Sequence, residues 1–168
     1  MQLLVIRHAT AENPATVAAT GEDDAARPLS KEGKRMMKRV AAGLAELVDK
    51  LDVIAASPLV RAQQTAQIVA KVYNDLPVET VNALLPENEP SALVPWLQQY
   101  PTDNVVAIVG HEPHLGILVT WLMTGLKASR VVLKKGSVCL LEFSDTVAGG
   151  SATLHWLLTP SELRRIGR

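Results

Sequence analysis

The chain has 168 residues, of which 48% are hydrophobic and 20% are charged, a composition typical of a globular domain with one core. Its 17 basic and 17 acidic residues balance, which argues against a nucleic-acid-binding protein because such proteins carry a basic excess. Cys139 is the single cysteine, so an internal disulfide and a cysteine-based metal site are excluded. The sequence also lacks the run of about 20 apolar residues that spans a membrane, so we expect a cytoplasmic protein without membrane contacts.

The first two thirds of the chain alternate short apolar runs with segments of helical periodicity. Apolar runs at residues 3–6, 53–56 and 105–109 predict strands that are covered on both faces, and residues 78–81 predict a further strand with a weaker signal. A polar loop that includes residues 21–24 separates the first strand from its helix. The predicted helices occupy residues 30–51, 58–73, 90–100 and 113–123. Ser30 is the expected N-cap of the first helix.

The last third of the chain has a different pattern. Residues 131–133, 137–143 and 153–158 predict antiparallel strands, with Gly149-Gly150 as a turn between the last two, and a final helix begins near Pro160. The whole order of elements predicts a three-layer α/β/α sandwich whose sheet is mostly parallel with an antiparallel C-terminal part. No repeat or linker divides the sequence, so we expect one domain over residues 1–168.

Side chains that suit an anion follow three of the predicted strands. Arg7 and His8 end the first strand, Ser57 and Arg61 follow the second, and His111 follows the fourth. Ligands of open α/β sheets bind beyond the carboxyl ends of the strands, so we expect these groups to form one pocket. Guanidinium groups fit phosphate oxygens, one neutral imidazole can attack phosphorus, and a second imidazole can bind the phosphoryl group as a cation.

Three segments in this order resemble the signature segments of the histidine phosphatase (phosphoglycerate mutase-like) superfamily. They are Arg7-His8-Ala9, residues 57–66 (SPLVRAQQTA) and Gly110-His111-Glu112-Pro113. The opening RHATAE, residues 27–33 (RPLSKEG) and the sequence GHEP further resemble its SixA branch, the phosphohistidine phosphatases. The resemblance extends from Met1 to the final helix, and it implies a phosphoglycerate mutase-like fold.

The resemblance also implies roles for the residues of the predicted pocket. His8 would be the nucleophile that forms a transient phosphohistidine, and Arg7, Arg61 and His111 would hold the phosphoryl oxygens. Arg27 would line the pocket, and Ser57 is a further expected substrate contact. No cofactor or metal is expected, because the arginines supply the charge neutralisation that a metal ion provides in other phosphoryl-transfer sites. As a loop residue near Asp23 and Asp24, Arg27 could alternatively form only a surface ion pair.

The expected activity is that of a metal-independent phosphatase acting on phosphohistidine in a protein, such as a phosphotransfer domain or a phosphocarrier. The alternative is a phosphatase of small phosphate esters that uses Glu87 or Glu89 as general acid, and the sequence does not choose between these two glutamates. A third possibility, a phosphate-binding module without turnover, is disfavoured by the complete set of Arg7, His8, Arg61 and His111. His114 is expected to be structural or to lie at the rim of the pocket.

Overall fold

The computed structural model describes residues 1–167, whose strands form one six-stranded sheet in the order β3-β2-β4-β1-β5-β6. The strands are β1 (Gln2–Arg7), β2 (Val53–Ala56), β3 (Val78–Thr80), β4 (Val105–Gly110), β5 (Val138–Phe143) and β6 (Ala152–Leu158). The helices are α1 (Pro14–Ala19), α2 (Lys31–Ala45), α3 (Val60–Lys71), α4 (Val94–Leu97), α5 (His114–Thr124) and α6 (Pro160–Ile166). Short 3-10 turns occupy Asp24–Ala26, Asn82–Leu84 and Pro90–Leu93.

The sheet is parallel on one side and antiparallel on the other. β3, β2, β4 and β1 run parallel to one another, whereas β5 pairs antiparallel with β1 and β6 pairs antiparallel with β5. Alternate residues of β1 enter different cores: Leu4 and Ile6 pack with α2, α3 and α6, whereas Leu3 and Val5 pack with α4 and α5. Burial of both faces explains the continuous apolar run of β1 and confirms the predicted α/β/α sandwich.

Helix α2 begins as predicted but ends earlier. The Ser30 hydroxyl accepts a hydrogen bond from the Gly33 amide at 3.0 Å, which confirms the N-cap. The helix ends at Ala45 rather than continuing to Leu51. Val48 and Leu51 still reach the core, but from a loop, and the Tyr73 hydroxyl donates to the Val48 carbonyl at 3.0 Å. Because apolar residues continue at helical spacing as far as Leu51, the sequence predicted a longer helix than the structure contains.

Two further differences from the sequence-based prediction concern the loops. The polar segment after β1 contains the short helix α1, which begins with Pro14 and is capped by the Asn13 side chain. Residues 131–133 do not form the predicted strand. The Leu133 amide donates to Glu112 Oε1 at 2.8 Å, and the Leu133 carbonyl accepts from Arg7 Nη1 at 2.7 Å. The backbone of Leu133 therefore bonds to side chains and not to a neighbouring strand. Val132 is 76% exposed, so it lacks the burial expected of an apolar residue in the predicted strand.

No helix among residues 1–167 combines the length and the apolar character that crossing a lipid bilayer requires.

Candidate active site

The register of the parallel strands brings the predicted site residues together at one edge of the sheet. Arg7 pairs with Gly110 between β1 and β4, so the next residues, His8 and His111, lie side by side with ring centroids 5.1 Å apart. The Ser57 amide donates to the Val109 carbonyl at 3.0 Å, which places Ser57 beside the same strand end. Three strands that are distant in sequence therefore deliver their terminal residues to one point, as the sequence predicted.

The backbone fixes the proton of the His8 imidazole. His8 Nδ1 lies 2.7 Å from the Ala9 carbonyl oxygen, which can only accept a hydrogen bond, so Nδ1 carries the proton. The lone pair is consequently on Nε2. Burial lowers the pKa of His8 to about 4, and the cations Arg61 and Arg7 act in the same direction. The imidazole is therefore neutral near pH 7, the state that a nucleophile requires.

Helix α3 binds the loop that carries His8. The Ala9 amide donates to Thr65 Oγ1 at 3.1 Å, and the same hydroxyl donates to the Arg61 carbonyl at 2.7 Å. One threonine thus couples the positions of His8 and Arg61. Thr65 belongs to the segment that carries the family resemblance, but its contact with the His8 loop is not predictable from residue pattern alone.

Arg61 is held by a carboxylate that the sequence reading did not select. Arg61 Nη2 lies 3.2 Å from Asp24 Oδ2, and Arg61 Nη1 donates to the Asp24 carbonyl at 2.9 Å. The other carboxylate oxygen of Asp24 lies 2.7 Å from Arg27 Nε, and Arg27 Nη1 donates to the Glu12 carbonyl at 3.1 Å. The ion pair of Arg27 therefore exists, and it also connects Arg27 to Arg61. The hydrogen bond from Arg27 lowers the pKa of Asp24.

Arg7 is anchored by backbone instead. Its Nη1 donates to the Leu133 carbonyl at 2.7 Å, and the Glu112 carboxylate holds the Leu133 amide. Burial lowers the pKa of Arg7, while the charge of Glu112 opposes that shift. Glu112 also accepts from the Gly116 amide at 3.3 Å, so it ties the start of α5 to the segment that anchors Arg7. The sequence contained Glu112 in the GHEP segment without indicating this structural role.

Several buried polar atoms of the site lack a hydrogen-bond partner. They are Arg7 Nε, Arg61 Nε and His111 Nδ1. An unsatisfied buried donor costs roughly 1–3 kcal/mol, so a group of them at one site indicates that a ligand supplies the acceptors. Two guanidinium donors around a pair of imidazoles define an anion-binding pocket, and phosphate oxygens suit it well.

Burial and nearby positive charge keep the His111 ring neutral. Its Nε2 lies 2.8 Å from Ser57 Oγ, and Ser57 is fully buried, so that hydroxyl orients the ring. Burial lowers the pKa of His111 to about 3, with further lowering from His8 and Arg61. The sequence-based expectation that His111 binds phosphate as a cation therefore requires the incoming dianion to raise its pKa, because nearby negative charge favours the imidazolium.

The structure distinguishes the two glutamates that the sequence left open. Glu89 forms an exposed ion pair with Lys127, at 2.9 Å between Oε2 and Nζ. Glu87 is exposed too, but its charge acts on His114, whose pKa is lowered by burial and raised by Glu87. His114 is 2% exposed, and neither of its ring nitrogens has a hydrogen-bond partner. Of the two glutamates, Glu87 is therefore the one whose charge acts on the buried His114.

Within residues 1–167, no three histidine, cysteine, aspartate or glutamate side chains are grouped as a metal site requires.

Comparison with known proteins agrees with this geometry. A sequence model of the histidine phosphatase superfamily (branch 1) matches residues 3–85. An uncharacterized protein of Picosynechococcus sp. (strain ATCC 27264 / PCC 7002 / PR-6) is 31% identical over 140 residues, which are 82% of this chain and 82% of that protein. Phosphohistidine phosphatase SixA of Escherichia coli (strain K12) is 26% identical over 168 residues, or 98% of this chain and 97% of that protein.

A solved structure shows that the fold is shared as well. The structure of the protein histidine phosphatase SixA complexed with tungstate matches with a TM-score of 0.79 at 24% identity, covering 97% of this chain and 99% of that chain. The fold and the paired histidines and arginines define a phosphoryl-transfer protein of the phosphoglycerate mutase-like class. The chain belongs to the histidine phosphatase superfamily, and at the level of this family it is a phosphatase.

Proposed function

We propose that the protein removes the phosphoryl group from a phosphohistidine on another protein, through a covalent phosphohistidine on His8. The observation that carries this proposal is the hydrogen bond from His8 Nδ1 to the Ala9 carbonyl, which leaves the Nε2 lone pair available in a neutral imidazole. A neutral nucleophile beside guanidinium groups is the arrangement that attack on a phosphoryl dianion needs. The proposed substrate is a cytoplasmic phosphotransfer domain or phosphocarrier.

The reaction has two balanced steps. In the first, His8 Nε2 forms a bond to phosphorus while the bond from phosphorus to the substrate imidazole breaks, and the departing imidazole takes up a proton from solvent. In the second, water attacks the phosphorus of phospho-His8 and the bond to Nε2 breaks. The electron pair of that bond returns to Nε2, one proton of the water passes to solvent, and inorganic phosphate leaves. Arg7 and Arg61 neutralise the phosphoryl oxygens in both steps, and His111 donates to them once the dianion has raised its pKa.

The surroundings of the site support phosphohistidine as the substrate. An imidazole leaving group has an ordinary pKa of about 6.5 and is protonated readily, so it needs no dedicated carboxylic acid. Both candidate glutamates, Glu87 and Glu89, are exposed, and neither is hydrogen-bonded to His8 or His111 in the structure. The similarity to phosphohistidine phosphatase SixA, which extends over nearly the whole chain, favours the same substrate class.

A small phosphate ester is the second candidate substrate. An alkoxide leaving group needs a proton, and the observation that favours this candidate is the influence of Glu87 on His114 next to the site. Under this alternative, Glu87 is the general acid, and replacing it removes the proton donor. Glu89 is a matched control because its carboxylate is already paired with Lys127.

The test compares two substrates across four proteins. Phosphate release is measured from a histidine-phosphorylated phosphotransfer domain and from p-nitrophenyl phosphate, using the wild type, His8→Ala, Glu87→Gln and Glu89→Gln. We expect rapid release from the phosphoprotein, loss of at least about 10³-fold in His8→Ala, and near-wild-type rates in both glutamate variants. Faster turnover of the ester, with a collapse in Glu87→Gln alone, would establish the second candidate instead.

A further inference from the structure

A hollow with a volume of about 360 Å³ lies between the first turns of α2 and the end of α6. Its lining includes Thr10, Glu32, Arg35, Met36, Arg39 and Arg164. Arg35 and Arg39 are one helical turn apart, so their side chains project from the same face of α2. Arg164 joins them because α6 packs against α2.

The charge of this hollow differs from that of the chain as a whole. The chain is neutral, but the lining carries three arginines and one glutamate, which is an excess of two positive charges. Arg35 and Arg39 are exposed, and among residues 1–167 none of the three arginines has a carboxylate at ion-pair distance. Arg27 and Arg61, in contrast, are both paired with Asp24. The arginines of the hollow are thus available to an external carboxylate.

Backbone contacts link the hollow to the segments that carry Arg7 and His8. Thr10 lies two residues after His8, and its carbonyl accepts from the Ser30 amide at 3.0 Å, which joins the His8 loop to the start of α2. The Gly136 amide donates to the Arg7 carbonyl at 3.1 Å. A Cβ at Gly136 would lie 3.0 Å from Met36 Cε, so this turn also touches the wall of the hollow. Lys135, in the same turn, is exposed, and its positive charge acts on His8.

We propose that this arginine hollow docks an acidic surface segment of the phosphoprotein while its phosphohistidine enters the pocket at His8. This inference rests on the proposed function and names the kind of partner that it requires. Arginine forks bind carboxylates in bidentate geometry, and Met36 supplies an apolar contact at the centre of the surface. A small phosphate compound that fills the pocket at His8 has no carboxylate surface to place in the hollow.

The test compares two double variants of α2, each of which replaces two positive charges by negative ones. Arg35→Glu/Arg39→Glu removes the hollow's positive face, while Lys34→Glu/Lys38→Glu makes the same change in charge at exposed positions of the same helix that do not line the hollow. Each protein is assayed with an acidic phosphotransfer domain phosphorylated on histidine and with free phosphohistidine. Both substrates contain the same phosphorus–nitrogen bond, but only one brings a protein surface.

We expect Arg35→Glu/Arg39→Glu to lower kcat/KM for the phosphoprotein about tenfold, mainly through KM, and to leave hydrolysis of free phosphohistidine unchanged. Lys34→Glu/Lys38→Glu should change neither rate by more than about twofold. Added salt should slow the wild type on the phosphoprotein but should not slow the arginine variant in the same way, because glutamates that repel an acidic partner have replaced the two attractive arginines.

The outcomes separate the two proposals. Equal phosphoprotein rates in the wild type and the arginine variant, equal losses in the two double variants, or an equal loss on both substrates would overturn the docking proposal alone. A wild type that hydrolyses neither phosphohistidine substrate would overturn the proposed function, and the docking proposal with it.

Discussion

The active site has two halves that are stabilised in different ways. The strand half consists of His8, His111 and Ser57, which are buried and positioned by the register of β1, β2 and β4. The loop half consists of Arg27 and Asp24, which hold Arg61 from the segment before α2. The side chain of Asp24 is 57% exposed. The reacting imidazole is therefore fixed by the sheet, whereas part of the positive charge around it depends on ion pairs between largely buried arginines and one exposed carboxylate.

The largest expected effect comes from the two arginines that contact the phosphoryl group in our proposal. Arg7→Gln and Arg61→Gln should each lower kcat about 10²-fold, because each removes a charged donor from the transition state. The measurement is steady-state turnover of the histidine-phosphorylated phosphotransfer domain, with thermal unfolding as the control for folding. A loss below about threefold in either variant would contradict the role that we assign to that arginine.

The strand half was predictable from the sequence, since continuous apolar runs end at Arg7-His8 and at Gly110-His111. These local signals define strand ends, and parallel pairing brings such ends together. The tautomer of His8 was not predictable, because it depends on the position of the Ala9 carbonyl.

The loop half was only partly predictable. Arg27 and Asp24 are three residues apart, and the sequence allowed their ion pair. The contact of Asp24 with Arg61 spans 37 residues and depends on the path of the loop, which residue periodicity does not encode. The strand predicted at residues 131–133 is absent for a related reason, because the backbone of Leu133 binds the side chains of Arg7 and Glu112 instead of a neighbouring strand.

A smaller effect on kcat/KM is expected when the negative charge of the loop half, on Asp24, is removed. Asp24→Asn keeps the size of the side chain but removes the charge that holds Arg61 and Arg27. Because the Asp24 carboxylate is exposed to solvent, each ion pair contributes only about 1 kcal/mol, so we expect kcat/KM to fall about three- to fivefold. Asp23→Asn is the matched control, since asparagine also caps the following turn. Identical kinetics of these two variants would show that Asp24 does not position Arg61 for catalysis.

The strand half should also be visible in the pH dependence of stability. The pKa values of His8 and His111 are about 4 and about 3, so the unfolded chain, with ordinary histidines, binds more protons below about pH 6.5. The free energy of unfolding should therefore fall as pH falls from about 6.5 towards 4, by at most about 1.4 kcal/mol per pH unit for each histidine. Urea unfolding of the wild type and of His111→Asn measures this slope, which should be shallower in the variant. Parallel slopes would mean that His111 is not buried as a neutral ring.

The most direct test of the account is to trap the phosphoenzyme and identify the phosphorylated atom. The wild type is mixed with histidine-phosphorylated phosphotransfer domain, quenched in alkali because phosphohistidine is labile in acid, and analysed by peptide mass spectrometry and by separation of the two phosphohistidine isomers. The hydrogen bond from Nδ1 to the Ala9 carbonyl predicts phosphate on Nε2 of His8, and none in His8→Ala. Phosphate on Nδ1, phosphate on His111, or full turnover in His8→Ala would contradict it.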